Sequence, residues 1–218
     1  MARWIPWLSI FLLLPSTFAQ SRKLSLPFPI EPAQPGGSVS TFEVAPDDSR
    51  IVYLAREAAD ARLELYSRPV DESQASTRLT GSIPMTERID HDFQISPDSK
   101  RVYFLTLETI YGEYGSVDHA RLYGAPIDGA SVAKRLADIG GYAQDFSVSP
   151  DGTWLVYSVL IFDESGADPY RTELFSVPTD GHREPILLSS ATRSSNDGFR
   201  IADDRVVFVA TPPAGAGE

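Results

Sequence analysis

The sequence predicts an all-β protein of β-propeller blades, each a four-stranded antiparallel sheet, with about three full blades and a partial fourth. Three observations carry this. Four segments align with one another: FEVAPDDSRIVYL from Phe42, FQISPDSKRVYFL from Phe93, FSVSPDGTWLVYS from Phe146 and FRIADDRVVFV from Phe199. Their leading phenylalanines are spaced 51, 53 and 53 residues apart. A second element follows three of them: LYSRPVD from Leu65, LYGAPIDG from Leu122 and LFSVPTDG from Leu174. Finally, Leu79, Leu136 and Leu188 each fall eight residues after the aspartate of that second element. About 52 residues of four-strand meander, repeated in fixed order, is the size of one propeller blade.

The elements follow in chain order. Residues 1–19 read as a secretory signal peptide: Arg3 supplies positive charge, Trp4 to Leu14 is apolar apart from Pro6, and Thr17 and Ala19 are the small residues of a cleavage site. A membrane-spanning helix needs roughly 20 apolar residues, and this run is shorter. Cleavage after Ala19 implies a secreted or periplasmic protein with no membrane span in the mature chain. Residues 20–37 form a Pro-rich extended arm, since four prolines and two glycines between Leu24 and Gly37 exclude a helix or a central strand. Such an arm, rich in Leu, Phe and Ile, can lie against the body or add an edge strand. Blades are expected at 38–88, 89–141 and 142–195, with the partial fourth at 196–211 and a disordered tail at 212–218.

Within a blade, F-x-[VI] alternates as a half-buried strand. The turn Ser149-Pro150-Asp151-Gly152 then combines a preset proline dihedral with a glycine able to take positive φ. The second strand is Leu155-Val156-Tyr157 and its equivalents. The third and fourth are joined by Asp128-Gly129 and Asp180-Gly181, which favour a tight hairpin. No stretch after residue 19 keeps a helical period. Phe42, Phe93, Phe146 and Phe199, with Tyr53, Phe104, Tyr157 and Phe208, are expected to be buried between sheets.

This pattern resembles the WD-like repeat of TolB-type periplasmic propellers, the same blade repeat found in the tricorn protease and in prolyl-oligopeptidase-type peptidases. The resemblance covers Thr41 to about Val209. It departs from the pattern at Asp48 and Ser99, where the turn wants glycine, and in the fourth repeat, which lacks two turn residues. It implies a non-catalytic protein- or ligand-binding scaffold. The alternative is the N-terminal propeller fragment of a prolyl-oligopeptidase-type peptidase lacking its hydrolase domain. A second alternative is a carbohydrate-binding propeller.

Composition narrows the chemistry. There are no cysteines, which excludes disulfides, thiolate zinc sites and cysteine nucleophiles. The net charge of −11 argues against nucleic acid as a partner. No G-x-S-x-G elbow is present. His91, His119 and His182 lack metal-ligand spacing, so no cofactor or metal is expected, and Asp163 to Asp168 reads as a hairpin loop rather than a calcium loop. A binding face for a protein or peptide partner is expected where connections vary in length. Its candidate residues are Asp90, His91, Asp92, Asp145 and Asp197 before the first strands, with Tyr111, Tyr114 and Tyr170 in the long loops between second and third strands. Propellers close with about four to eight blades. The count therefore predicts truncation or an open arc, with a four-blade ring completed by the arm, or self-association of two chains, as other ways to close.

Overall fold

The computed structural model describes residues 37–58, 61–112, 115–162, 170–191, 198–202 and 205–208. The expected signal peptide, most of the arm and the tail lie outside these residues. The described elements are all strands, arranged as three four-stranded antiparallel meanders and one hairpin. Blade one is β1 (Ser38–Val44), β2 (Arg50–Arg56), β3 (Glu64–Pro69) and β4 (Thr77–Arg78). Blade two is β5 (Glu87–Ile95), β6 (Arg101–Gly112), β7 (Gly115–Pro126) and β8 (Lys134–Ile139). Blade three is β9 (Tyr142–Val148), β10 (Trp154–Phe162), β11 (Tyr170–Pro178) and β12 (Ile186–Ala191). The fourth blade contributes β13 (Phe199–Ala202) and β14 (Arg205–Phe208).

The repeated turns have one architecture. Asp47, Asp98 and Asp151 each accept the backbone N–H two residues on and a nearby serine or threonine hydroxyl. These bonds favour the ionised carboxylate and hold all three aspartates below their ordinary pKa. The next turn position takes positive φ in every blade: Asp48 (57°), Ser99 (60°) and Gly152 (73°). The departures from glycine thus leave the backbone shape unchanged. In each blade the first turn is tied to the second by an equivalent bond, Val70 N–H to Ser49, Ile127 N–H to Lys100 and Thr179 N–H to Thr153. Both turns therefore share one end of every sheet.

Each sheet is apolar on both faces, and the faces stack on the neighbouring blades. Val52, Leu54 and Leu65 of blade one pack against Phe93, Val102 and Phe104 of blade two. On the other side of blade two, Tyr103, Leu105 and Leu122 meet Phe146, Leu155 and Tyr157 of blade three. Val156 and Leu174 then receive Phe199. Each full blade carries the same cross-strand aromatic stack, on the face that in blades two and three meets the preceding blade: Tyr53–Tyr66, Phe104–Tyr123 and Tyr157–Phe175, with ring centroids 5.5–5.8 Å apart. Such pairs strengthen a sheet and fill the seam.

Two burial expectations fail, at the two ends of the arc. Phe93, Phe146 and Phe199 are buried as expected, but Phe42 is 64% exposed. The motif residue is the same, but no other described sheet packs against its face. Phe208 is 37% exposed because β14 has no described third strand whose aromatic ring would stack on it. The connections between second and third strands also differ from expectation. In blade two they are not loops but continuous strand, since β6 and β7 pair from Arg101–Pro126 to Gly112–Gly115.

Packing between blades explains the glycines of the Pro-x-Asp-Gly turn. Gly129 (φ 71°) and Gly181 (φ 63°) sit against the fourth strand of the preceding blade. A Cβ on Gly129 would meet Thr77 Cγ2 at 2.4 Å, and one on Gly181 would meet Leu136 Cδ2 at 2.8 Å. Blade one holds Glu72 at this position with the same left-handed backbone (φ 62°).

Gly129→Ala and Gly181→Ala should each destabilise the protein by about 1–3 kcal/mol, through overpacking and a disfavoured φ. Glu72→Gly should be neutral or stabilising, as read by urea denaturation. Phe146→Ala should lose about 3–5 kcal/mol, whereas Phe42→Ala should lose less than about 1 kcal/mol.

Candidate functional site

The first strand of each full blade is broken by a register shift two or three residues before its phenylalanine. The shifts fall between Val39 and Thr41, between Ile89 and Phe93, and, in the β9–β10 pairing, between Ser158 and Val159, where β9 carries Asp145. A bulge re-aims side chains and is frequent beside binding sites. Here the second bulge carries Asp90 and Asp92, and Asp145 pairs with Ser158 beside the third. The long second-to-third strand hairpins project from this same end of the sheets, opposite the Ser-Pro-Asp turns.

A cavity of about 340 Å³ opens beside these strands. It is lined by Gln94, Asp145, Ser147, Pro150, Phe199 and Arg200, among others. Desolvation by the surrounding strands holds Asp145 above its ordinary pKa, the Arg200 guanidinium opposes that shift, and the carboxylate of Asp92 adds to it. Asp145 and Arg200 thus line the same cavity, and Asp92 lies outside its lining.

Gln94 has a different task. Its Nε2 donates to the Phe146 carbonyl at 2.7 Å, and its Oε1 accepts from the Val148 N–H at 3.0 Å. The free inner edge of β9 is therefore paired by a side chain from blade two, as a neighbouring strand would pair it. The same repeat position holds Glu43 in blade one, Ser147 in blade three and Arg200 in the fourth. A carboxylate cannot donate, so Glu43 cannot reproduce both bonds in its ionised form. Desolvation raises its pKa.

Other expected residues are placed as follows. Asp90 is half-buried in β5 and Asp92 is exposed. Tyr111 is exposed near the tip of the β6–β7 hairpin, beyond Glu108, the last residue that β5 reaches. It stands apart from the acids. Tyr170 opens β11, paired with Phe162; its side chain and that of His91 lie outside the described residues, as do Tyr114 and Asp197.

Sequence reasoning missed Gln94 and Arg200. Strand alternation could have found them, because the middle residue of F-x-[VI] must face opposite to the phenylalanine. It also missed a buried polar network at the base of the β6–β7 hairpin. Glu87 accepts from Thr106 Oγ1 at 2.5 Å and from Tyr123 Oη at 3.3 Å, and pairs with Arg121 at 3.4 Å. Arg121 also pairs with Glu108 at 2.7 Å. His119 meets Asp138 at 2.5 Å on the adjoining edge. This network ties together four strands, β5 to β8.

The cavity lining thus offers a carboxylate, a guanidinium, a carboxamide and the Ser147 hydroxyl. Among the described residues no group of three or more His, Cys, Asp or Glu side chains could hold a metal ion. No described helix is long and apolar enough to cross a membrane.

Gln94→Ala should lose about 1–3 kcal/mol by leaving backbone groups of β9 unpaired. Glu43→Gln should gain stability by supplying the donor. The pH dependence follows from the raised pKa values of Glu43 and Asp145. Folded protein holds these protons to higher pH than unfolded chain, so each group's contribution falls as pH rises through that window. The stabilisation of Glu43→Gln and Asp145→Asn over the parent, read as a shift in Tm, should be greatest at pH 7. It should vanish below about pH 3, where both states are protonated.

No protein-family model and no curated protein matches the sequence. Solved structures do share the fold. The β-propeller domain of the Trilobed protease from Pyrococcus furiosus, described as having an open velcro topology, matches 78% of this chain and 47% of its own, at 11% identity and a TM-score of 0.52. An uncomplexed acylaminoacyl peptidase from Pyrococcus horikoshii matches 80% of this chain and 28% of its own, at 12% identity and a TM-score of 0.52. A prolyl endopeptidase matches 70% of this chain and 22% of its own, at 22% identity and a TM-score of 0.50. The chain spans less than half the length of each, and at these identities the likeness establishes propeller architecture alone.

Proposed function

We propose that this chain acts as the propeller module of a peptidase of the prolyl-oligopeptidase type, with the hydrolytic groups supplied by a domain outside residues 1–218. The observation that carries this reading is the pairing of fold and site. The three similar propellers are parts of peptidases, and the cavity offers Asp145, Arg200, Gln94 and Ser147 as polar contacts for a peptide. Such a module selects or admits peptide substrates while the chemistry happens elsewhere. A secreted or periplasmic location agrees with the leader-like residues 1–19. The second reading is a non-catalytic TolB-like scaffold for a protein partner, and the F-x-[VI]-S-P-D-G motif supports it.

Two measurements separate these readings. The pure 218-residue chain should show no turnover of proline-containing chromogenic peptides; hydrolysis by it would sink both. Antibodies against the chain should detect, in the native source, a polypeptide much larger than 23.9 kDa that reacts with a fluorophosphonate serine-hydrolase probe. An unlabelled native species of the chain's own size would instead favour the scaffold.

A further inference from the structure

At the seam between blades two and three, the Gln94 carboxamide lies beside β9 as an added strand would. Its Nε2 donates to the Phe146 carbonyl and its Oε1 accepts from the Val148 N–H. Both backbone groups face away from β10, because Phe146 and Val148 alternate with Ser147 along that ladder. β13 repeats the register. Phe199, Arg200 and Ile201 oppose Phe208, Val207 and Val206, as Phe146, Ser147 and Val148 oppose Tyr157, Val156 and Leu155. The Phe199 carbonyl and the Ile201 N–H therefore turn to the same inner edge. Strand geometry fixes their separation, which matches that of the pair bridged by Gln94. The Phe199 carbonyl draws one donor from Arg200 Nη1 at 2.9 Å and keeps a second lone pair.

Ser147 holds in blade three the repeat position of Gln94. A serine hydroxyl stops at the γ position, whereas a glutamine amide reaches to ε. A single oxygen also cannot bracket two backbone groups as the N–H and C=O of an amide do. Beside β13 lies instead the cavity of about 340 Å³, whose wall includes Ser147 and Val148 of β9 with Phe199, Arg200 and Ile201 of β13.

We propose that this cavity is a carboxamide slot, taking the primary amide of a glutamine or asparagine side chain in a bound peptide. The amide N–H donates to the Phe199 carbonyl and the amide C=O accepts from the Ile201 N–H, as Gln94 does for β9. This rests on the reading of the cavity as a peptide contact and names the group held there. The chemistry of the two backbone groups selects an amide. A carboxylate has acceptors only and would set an oxygen against the Phe199 carbonyl. An ammonium or guanidinium has donors only and would set an N–H against that of Ile201. Either mismatch leaves a partly enclosed backbone group unpaired, which costs more than the bond that remains contributes. The amide is neutral, so its capture depends on paired bonds and only weakly on salt.

In the ¹⁵N-labelled 218-residue chain, the Ile201 amide proton should move downfield on titration with N-acetylglutamine methylamide or N-acetylasparagine methylamide at pH 7. The glutamate and aspartate counterparts, which differ only in the side-chain carboxylate, should leave it unmoved. Ser147→Gln should fill the slot from within. Hydrogen exchange of the Ile201 amide should then slow roughly fivefold without any probe, and its response to the two amides should be lost. Ser147→Ala should keep that response. No response of the parent to either amide, an equal response to the acids, or unchanged Ile201 exchange in folded Ser147→Gln overturns the slot. Any of these leaves the peptidase-module reading standing, since that reading is decided by the size and fluorophosphonate labelling of the native species. An unlabelled native species would sink the module and leave the Ile201 response intact.

Discussion

A four-stranded sheet that is apolar on both faces cannot stand alone in water. This single constraint organises the molecule. Val52 and Leu54 look one way from β2 while Ile51 and Tyr53 look the other, so each blade must be covered twice. Stacking blades satisfies both faces at once, and the aromatic pair on the second and third strands fills each seam. The polar features follow from the same stacking. Close approach of the blades demands glycine at positions 129 and 181. It also brings Gln94 within reach of the unpaired inner edge of β9.

Where stacking stops, the same residue types behave differently. Phe42 and Phe146 occupy the same repeat position and have opposite burial. Glu72 stands where other blades need glycine. At the other end Ile186, Leu187 and Val207 are exposed beside the two-stranded fourth blade. Among the described residues the two end sheets thus differ: blade one carries Glu72 where blades two and three carry glycine, and β14 pairs only with β13.

The inner-strand bulges and the cavity form a second level built on this frame. The sheets set Asp145 and Arg200 in one cavity wall, and desolvation raises the Asp145 pKa although the residue is exposed overall. These groups suit recognition of a polar or charged segment of a ligand. The deeper polar network around Glu87 and Arg121 is structural: its charges are spent on one another at the root of the β6–β7 hairpin.

The sequence by itself determined the blade repeat, the strand order and the turn chemistry. These are local: alternation has a period of two, and proline, aspartate and a left-handed residue define a turn within four positions. The positive φ at Asp48 and Ser99 shows the repeat overriding residue preference there. Only the tertiary structure decided which motif residues are buried, that the blade-two connection is paired strand, and which side chains bridge blades. Phe42, Phe208 and Glu43 carry the signature of their repeat positions, yet their environments depend on a neighbouring sheet some fifty residues away or absent. Local stereochemistry is written in each segment, whereas burial is a property of whatever packs against it.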